Sequence, residues 1–329
     1  MNNNSYPRLI SDIGGTNARF SVEVSPYTYE HSTTLTCKDY SSMSEAISHY
    51  LSSINLLHIE HMAIALPAPI VDDTIIMVNS PWQHVSQMQT KQELNVKNLI
   101  FLNDFHALSL SIPHIDKTQL VQVGGLDPDE SKPIGILGPG TGLGMALLTR
   151  HPNGEYLSVA AEGGHSSVPL VNGEEFDLWH FVHKRFHHVS VERLISGPGL
   201  QLMYEAISSI RGIQITQLPT PAEITSRGIS NQCLICKLCI DHFCRILGTV
   251  AANLAIMSNS FGGIYLGGGI IPQMLDYFIS SDFRCRFEDK GRLRPYLTRI
   301  PVYVILEKYP AFLGVSHALD SYITKGYIP

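Results

Sequence analysis

The chain has 329 residues, a formal net charge of -6, 44% hydrophobic residues and 16% charged ones. That length exceeds one small core and predicts two lobes, and the composition is that of a packed globular protein rather than a disordered one. The acidic balance, with no Lys/Arg run, excludes the basic stripe of a duplex-binding protein, so no nucleic-acid partner is expected.

The opening M-N-N-N-S-Y-P lacks the basic start and apolar region of a secretory signal. The longest apolar stretches, around 134–148 and 261–271, are interrupted by glycines, so no membrane span is expected. Six cysteines in a chain of this size do not make a disulfide scaffold. Together these features predict a cytoplasmic protein.

In chain order, residues 8–13 and 18–24 read as strands. Residues 42–56 read as an amphipathic helix, with Ala46, Ile47, Tyr50, Leu51 and Ile54 near one face. Short buried strands follow at 61–66 and 98–102. A helix is predicted over 104–112, with Asp104 at its N-terminal end. Strands at 133–137 and 144–149 precede helices at 174–185, 199–211 and 234–257. A strand at 263–266 runs into a glycine-rich turn, a late strand spans 302–305, and a helix over 312–323 closes the chain. This mixture predicts an α/β class with buried sheets.

Two segments echo each other. Residues 9–20 read strand, Gly-Thr turn, strand, and residues 134–145 repeat that plan. A turn built twice points to a duplicated two-lobe fold. Glycine lets backbone N–H groups approach an anion, and threonine adds a hydroxyl donor, so both turns suit polyphosphate. Ordinary hairpin turns use the same residues. A Walker loop is absent, since no G-x-x-x-x-G-K-[ST] string occurs. A dinucleotide fingerprint needs its glycine loop to open a helix, but Pro152 follows one loop too closely and Ser25-Pro26 ends the strand after the other. Both loops are therefore read as β-hairpins.

Two metal-like patterns are set aside. Cys233-x-x-Cys236-x-x-Cys239, with Cys244 beyond, falls within one continuous helical pattern, where positions three and six apart drift around the axis instead of converging on a tetrahedral ion. These are read as core cysteines. His180, His183, His187 and His188 interleave with Trp179, Phe181, Val182 and Phe186, which predicts a half-buried helix.

The segment Asp12-Ile-Gly-Gly-Thr-Asn17, with Arg19 beside it, resembles the first phosphate motif of the bacterial glucokinase family, in the hexokinase/actin-like ATPase superfamily. Residues 138–144 resemble its second phosphate motif, and Leu102-Asn103-Asp104-Phe105 its catalytic segment. Glu162-Gly-Gly-His165 and Glu192, within V-E-R-L-I-S-G-P-G, are similar to its sugar-binding segments. Residues 262–270 resemble its adenosine segment. The motifs keep the family's order over nearly the whole chain. Pro139 stands where a small residue is usual, and Ala311 where glycine is common; neither touches the sugar motifs.

The resemblance implies a two-lobed actin-like ATPase (hexokinase/ribonuclease H-like) α/β fold with a cleft. The small domain would use 1–113 plus 306–329 and the large domain 114–305. It implies ATP-dependent phosphorylation of glucose at the 6-hydroxyl, with Asp104 as catalytic base. Asn103, Glu162, His165 and Glu192 would join Asp104 in binding the sugar, with Gly163 and Gly164 letting the backbone pass close to the ring. Gly14, Gly15, Thr16 and Asn17, with Gly140, Thr141 and Gly142, would contact phosphate. Gly267, Gly268 and Gly269 would line the nucleotide side, Asp12 would hold Mg²⁺ through water, and a homodimer is expected. Read from the residues alone, Asp104 is sooner a helix N-cap, and Glu162, His165 and Glu192 are sooner surface groups. Two other functions stay open: a kinase for another substrate, and a sugar-responsive regulator without catalysis. Asp12 lies too near the start to leave room for the helix-turn-helix of such a regulator, and the retained Asp104 argues for catalysis.

Overall fold

The structure is a computed structural model that describes residues 5–78 and 80–329. The reading of the opening M-N-N-N falls on residues 1–4 and lies outside them.

The first main sheet is built from β1 (Arg8–Ile13), β2 (Asn17–Ser25), β3 (Thr28–Thr36) and β4 (His61–Leu66). After a small hairpin of β5 (Thr74–Ile76) and β6 (His84–Ser86), β7 (Asn98–Asn103) completes it. The order is β3-β2-β1-β4-β7. The β1–β2 and β2–β3 pairs are antiparallel, whereas β1–β4 and β4–β7 are parallel. Parallel strands buried on both faces read as apolar runs, and β4 (H-M-A-I-A-L) is buried throughout. The helices here are α1 (Met43–Ser53), α2 (Gln87–Glu93) and α3 (Asp104–Ser111). Ser42 caps α1 by accepting from the Glu45 amide, and Ala46, Ile47, Tyr50 and Leu51 form its buried face, as their spacing predicted.

The second main sheet contains β8 (Leu120–Gln122), β9 (Ile134–Pro139), β10 (Leu143–Arg150), β11 (Tyr156–Ala161), β12 (Ile264–Leu266) and β13 (Val302–Ile305). Its order is β11-β10-β9-β12-β13-β8. Apart from the edge strand β8, this repeats the first sheet: third, second, first, fourth, fifth. The echo between the two glycine turns thus extends to a repeated sheet topology, and both turns join antiparallel strands. Around this sheet lie α4 (Gly173–His183), α5 (Gly197–Ile210), α6 (Pro221–Ile229) and α7 (Leu234–Ser258). The short α8 (Ile270–Gln273), α9 (Leu275–Ser280), α10 (Phe283–Glu288) and α11 (Arg294–Leu297) follow, and α12 (Pro310–Lys325) closes the chain. The long α7 is the spine of this core, burying Ile240, Phe243, Leu247 and Ala251.

The described chain divides into two compact units. One comprises Met1–Asp116, His151–Ala160 and Glu307–Pro329, and the other Lys117–Arg150 and Ala161–Leu306. In the first, α12 packs on α3 so closely that a Cβ at Gly314 would overlap the Ala107 carbonyl oxygen. Among the described residues no helix is long and apolar enough to cross a membrane.

Candidate active site

In the first unit, Asp12 is the penultimate residue of β1, next to its tight turn. Its cross-strand neighbour is Arg19, whose Nη1 donates to Asp12 Oδ2 at 2.9 Å. The Gly14 amide closes the turn by donating to the Asn17 carbonyl at 2.9 Å, and the Thr16 carbonyl accepts from the Cys37 amide at 2.9 Å. Burial raises the Asp12 pKa above the ordinary carboxylate range, and Arg19 pulls it part of the way back. Burial thus disfavours the ionised carboxylate, and the Arg19 guanidinium favours it.

The strand register sets Asp104 at the same edge. Asp12 is in register with Ala65 and Ala65 with Leu102, while Leu66 pairs with Asn103. The β1 and β7 ends are thus two strand spacings apart, about 10 Å. Both open at the carboxyl ends of parallel strands, where α/β sheets bind ligands. Asn103 Oδ1 accepts from the amides of Phe105 at 2.9 Å and His106 at 3.2 Å, so Asn103 is the N-cap of α3. This corrects the cap reading of Asp104, which is instead the first helical residue; its Oδ1 also meets the Phe105 amide, at 2.9 Å. Asn103 Nδ2 donates to the Ala68 carbonyl at 3.4 Å.

In the second unit, the turn after β9 is a hub. The Gly140 amide donates to Gly142 O at 2.8 Å, and the Gly197 amide, first in α5, donates to Gly140 O at 2.8 Å. The Gly267 amide donates to Leu137 O at 2.7 Å. Gly268 has φ +80°, and a Cβ there would overlap the Pro139 carbonyl oxygen, so this glycine seats the post-β12 turn on the post-β9 turn. Gly269 leads into α8. Glu192 Oε2 accepts from the Leu143 amide at 2.9 Å, and a Cβ at Gly142 would lie 2.5 Å from that oxygen. Gly142 therefore makes room for Glu192, which ties the sugar-motif carboxylate to the second phosphate turn.

Glu162 precedes the short 3-10 turn Gly163–His165 and His165 ends it, with Nε2 of the histidine 3.9 Å from Oε2 of the glutamate. Both side chains are about two-thirds exposed, at 66% and 63%. The His165 carbonyl oxygen lies 2.9 Å from His188 Nε2. A Cβ at Gly163 would overlap Met145 Sδ, and one at Gly164 the Leu143 carbonyl oxygen. Gly164 is thus required by the backbone of β10, and Gly163 lies against the Met145 side chain of the same strand. A cavity of about 340 Å³ adjoins this region, lined in part by Thr141, Glu192, Arg193, Ser196 and Pro198. The Arg193 guanidinium stacks 4.1 Å from the Phe186 ring centroid beside it.

The structure places Asp12, residues 14–17, Asn103 and Asp104 in one unit. Residues 140–142, Glu162, His165, Glu192 and 267–269 lie in the other. Sequence reasoning missed Arg193 and His188. The first was only a neighbour of Glu192 in the motif. The second belonged to a histidine run weighed as a metal ligand, and α4 ends at His183, so His187 and His188 lie beyond the helix on which that reading placed them.

Known proteins resemble the chain over nearly its whole length. The sequence model of a family described as Glucokinase matches residues 9–322. The glucokinase of Neisseria meningitidis serogroup C is 43% identical over 318 residues, covering 97% of this chain and 96% of that protein. The glucokinase of Campylobacter jejuni subsp. doylei is 42% identical over 323 residues, covering 98% and 97%. The crystal structure of a glucokinase from an Antarctic psychrotroph superposes with a TM-score of 0.85 at 31% identity, covering 96% of this chain and 99% of that one. The repeated sheet plan is accordingly that of the actin-like ATPase fold. On a match that spans almost every element described above, the chain belongs to the glucokinase family.

Proposed function

We propose that the chain transfers the γ-phosphoryl group of ATP to the 6-hydroxyl of D-glucose, giving glucose 6-phosphate and ADP. The observation that carries this reading is the placement of Asp104 at the start of α3, at the sheet edge where Asp12 lies near the end of β1, with Asn103 taking over the capping. Phosphoryl transfer asks for an aligned nucleophile, a held triphosphate and neutralised charge. Asp104 accepts the 6-hydroxyl proton as that oxygen attacks phosphorus. Glu162, His165 and Glu192 accept from and donate to the remaining hydroxyls. The threonine hydroxyls and the amides of 14–17 and 140–142 other than those of Gly14 and Gly140 hold phosphate oxygens, residues 267–269 line the nucleotide, and the cavity beside Thr141 gives it room. Asp12 suits Mg²⁺: it is a carboxylate at the phosphate turn, and Arg19 favours its ionised form. Asp12 would hold the ion through water, and the ion would supply charge neutralisation for the phosphates. A homodimer in the cytoplasm belongs to the same reading and rests on the family resemblance.

The test is an ADP-release assay of the purified chain with Mg²⁺-ATP and a panel of hexoses. Glucose should turn over well above the other sugars. Asp104→Asn keeps an oxygen for the Phe105 amide, so it should retain the fold and glucose binding while turnover falls by roughly 10²–10⁴-fold. Near-wild-type turnover in that variant would remove Asp104 from its role. Turnover of a different hexose in place of glucose would overturn the substrate.

A further inference from the structure

The run Cys233-x-x-Cys236-x-x-Cys239 opens α7, away from the residues assigned above. Cys233 is the N-cap of that helix, and its Sγ accepts from the Cys236 amide at 3.2 Å. In helix geometry, positions three residues apart have Cα atoms about 5–6 Å apart, inside the window that a disulfide spans. Cys233 is half-buried, preceded by exposed residues and a left-handed Asn231, whereas Cys236, Cys239 and Cys244 are buried. The pair is therefore asymmetric, with one sulfur open to a small oxidant and the other behind it.

We propose that Cys233 and Cys236 form a redox-active dithiol that closes reversibly to a disulfide when the chain meets a peroxide. Cys233 is the half-buried member of the pair and Cys236 the buried one, which makes Cys233 the attacking sulfur. Its thiolate attacks one peroxide oxygen, the O–O bond breaks, and a sulfenic acid forms as hydroxide leaves. Burial pushes the Cys236 thiol up to about 12, so it waits in the protonated form. Its sulfur then displaces the sulfenic hydroxyl and its proton goes to that leaving group. In sum, two thiols and one hydrogen peroxide give one disulfide and two waters; sulfur is oxidised and peroxide reduced. A ring this small removes little chain entropy, so the bond acts as a sensor and not as a staple.

Trypsin isolates the pair. Cleavage after Arg227, Lys237 and Arg245 puts Cys233 and Cys236 on peptide 228–237, and Cys239 and Cys244 on 238–245. Folded protein is treated with hydrogen peroxide, alkylated in denaturant, digested and weighed. Peptide 228–237 should emerge unalkylated and two hydrogens lighter than its dithiol form, and dithiothreitol before alkylation should restore both alkylation sites. Recovery of that peptide fully alkylated, at a peroxide level that oxidises the exposed Cys285, would overturn the proposal, as would a cross-link to peptide 238–245. In Cys236→Ser, Cys233 should be trapped as a sulfenic acid by dimedone; in Cys233→Ser, which keeps an oxygen for the cap, Cys236 should stay unlabelled. With folding of both variants verified by circular dichroism, the reverse pattern would refute the order of attack.

Discussion

Gly164→Ala separates the account of the sugar turn given by packing from the one given by ligand access. Gly164 lies on the 3-10 turn that carries Glu162 and His165, and an added Cβ would overlap the Leu143 carbonyl oxygen of β10. Carbon–oxygen contacts settle near 3.3 Å, and the new methyl falls roughly 1 Å short of that. The obstacle is backbone in a sheet, so the turn has to move instead. Overpacking of this kind costs about 1–3 kcal/mol. A shift of roughly 1 Å in positioning groups costs on the order of 10²-fold in rate. Gly164→Ala should therefore lower kcat/KM for glucose about a hundredfold and also lower the midpoint of urea unfolding. Gly173→Ala is the control, because a Cβ at that position meets open space and should leave both quantities unchanged. Steady-state ADP release at saturating ATP, with glucose varied, reads the first effect, and tryptophan fluorescence in urea reads the second. A Gly164→Ala protein with wild-type glucose kinetics and wild-type unfolding would refute the claim that β10 fixes the sugar turn.

Glu192→Gln keeps an oxygen for the Leu143 amide and should raise KM for glucose with little change in KM for ATP; Glu192→Ala leaves that amide without its acceptor, costs about 1–3 kcal/mol, and should raise both constants. Because burial raises the Asp12 pKa, the native carboxyl binds its proton more readily than the unfolded one, so charging it costs stability as pH rises through the native value. Asp12→Asn should thus melt higher than wild type at pH 7 without nucleotide or metal, lose that advantage as pH falls to about 4, and lose activity throughout; melting scans across pH check the sign. His114 behaves oppositely. Burial, and then the neighbouring His317, push it down to about 4, so stability present above about pH 6.5 is lost as pH falls towards that value. His106 and His317, lowered mainly by burial, add to the same slope. His114→Gln should flatten part of it in urea titrations between pH 6.5 and 5, and an unchanged slope would show that His114 is not neutral in the folded state.

What could be read in advance depended on whether a residue's role is local. The glycine turns could be read because a hairpin is decided by a few adjacent residues, and the repetition of one turn anticipated a repeated strand order. β3 could not: in T-Y-E-H-S-T-T-L-T only Tyr29 and Leu35 are large and apolar, and the strand lies mostly exposed at a sheet edge, so no buried face imposes a period. Pairing with β2 makes it a strand, and pairing is non-local. The same division runs through the site. Asp104 was legible as a helix-start carboxylate, but which of two adjacent polar residues caps α3 is decided by backbone geometry that both sequences of roles permit. Gly163 and Gly164 were legible as glycines that admit something close, but the occupant comes from a strand some twenty residues away. Glu192 shows the consequence. Its carboxylate was read only as a sugar ligand, yet it also holds the Leu143 amide at the end of the second phosphate turn. One side chain thus touches both the segment assigned to the acceptor and the segment assigned to the donor. A change at either segment is then felt at the other through a single hydrogen bond, which is why the glucose and ATP constants of Glu192→Ala should move together while those of Glu192→Gln should not.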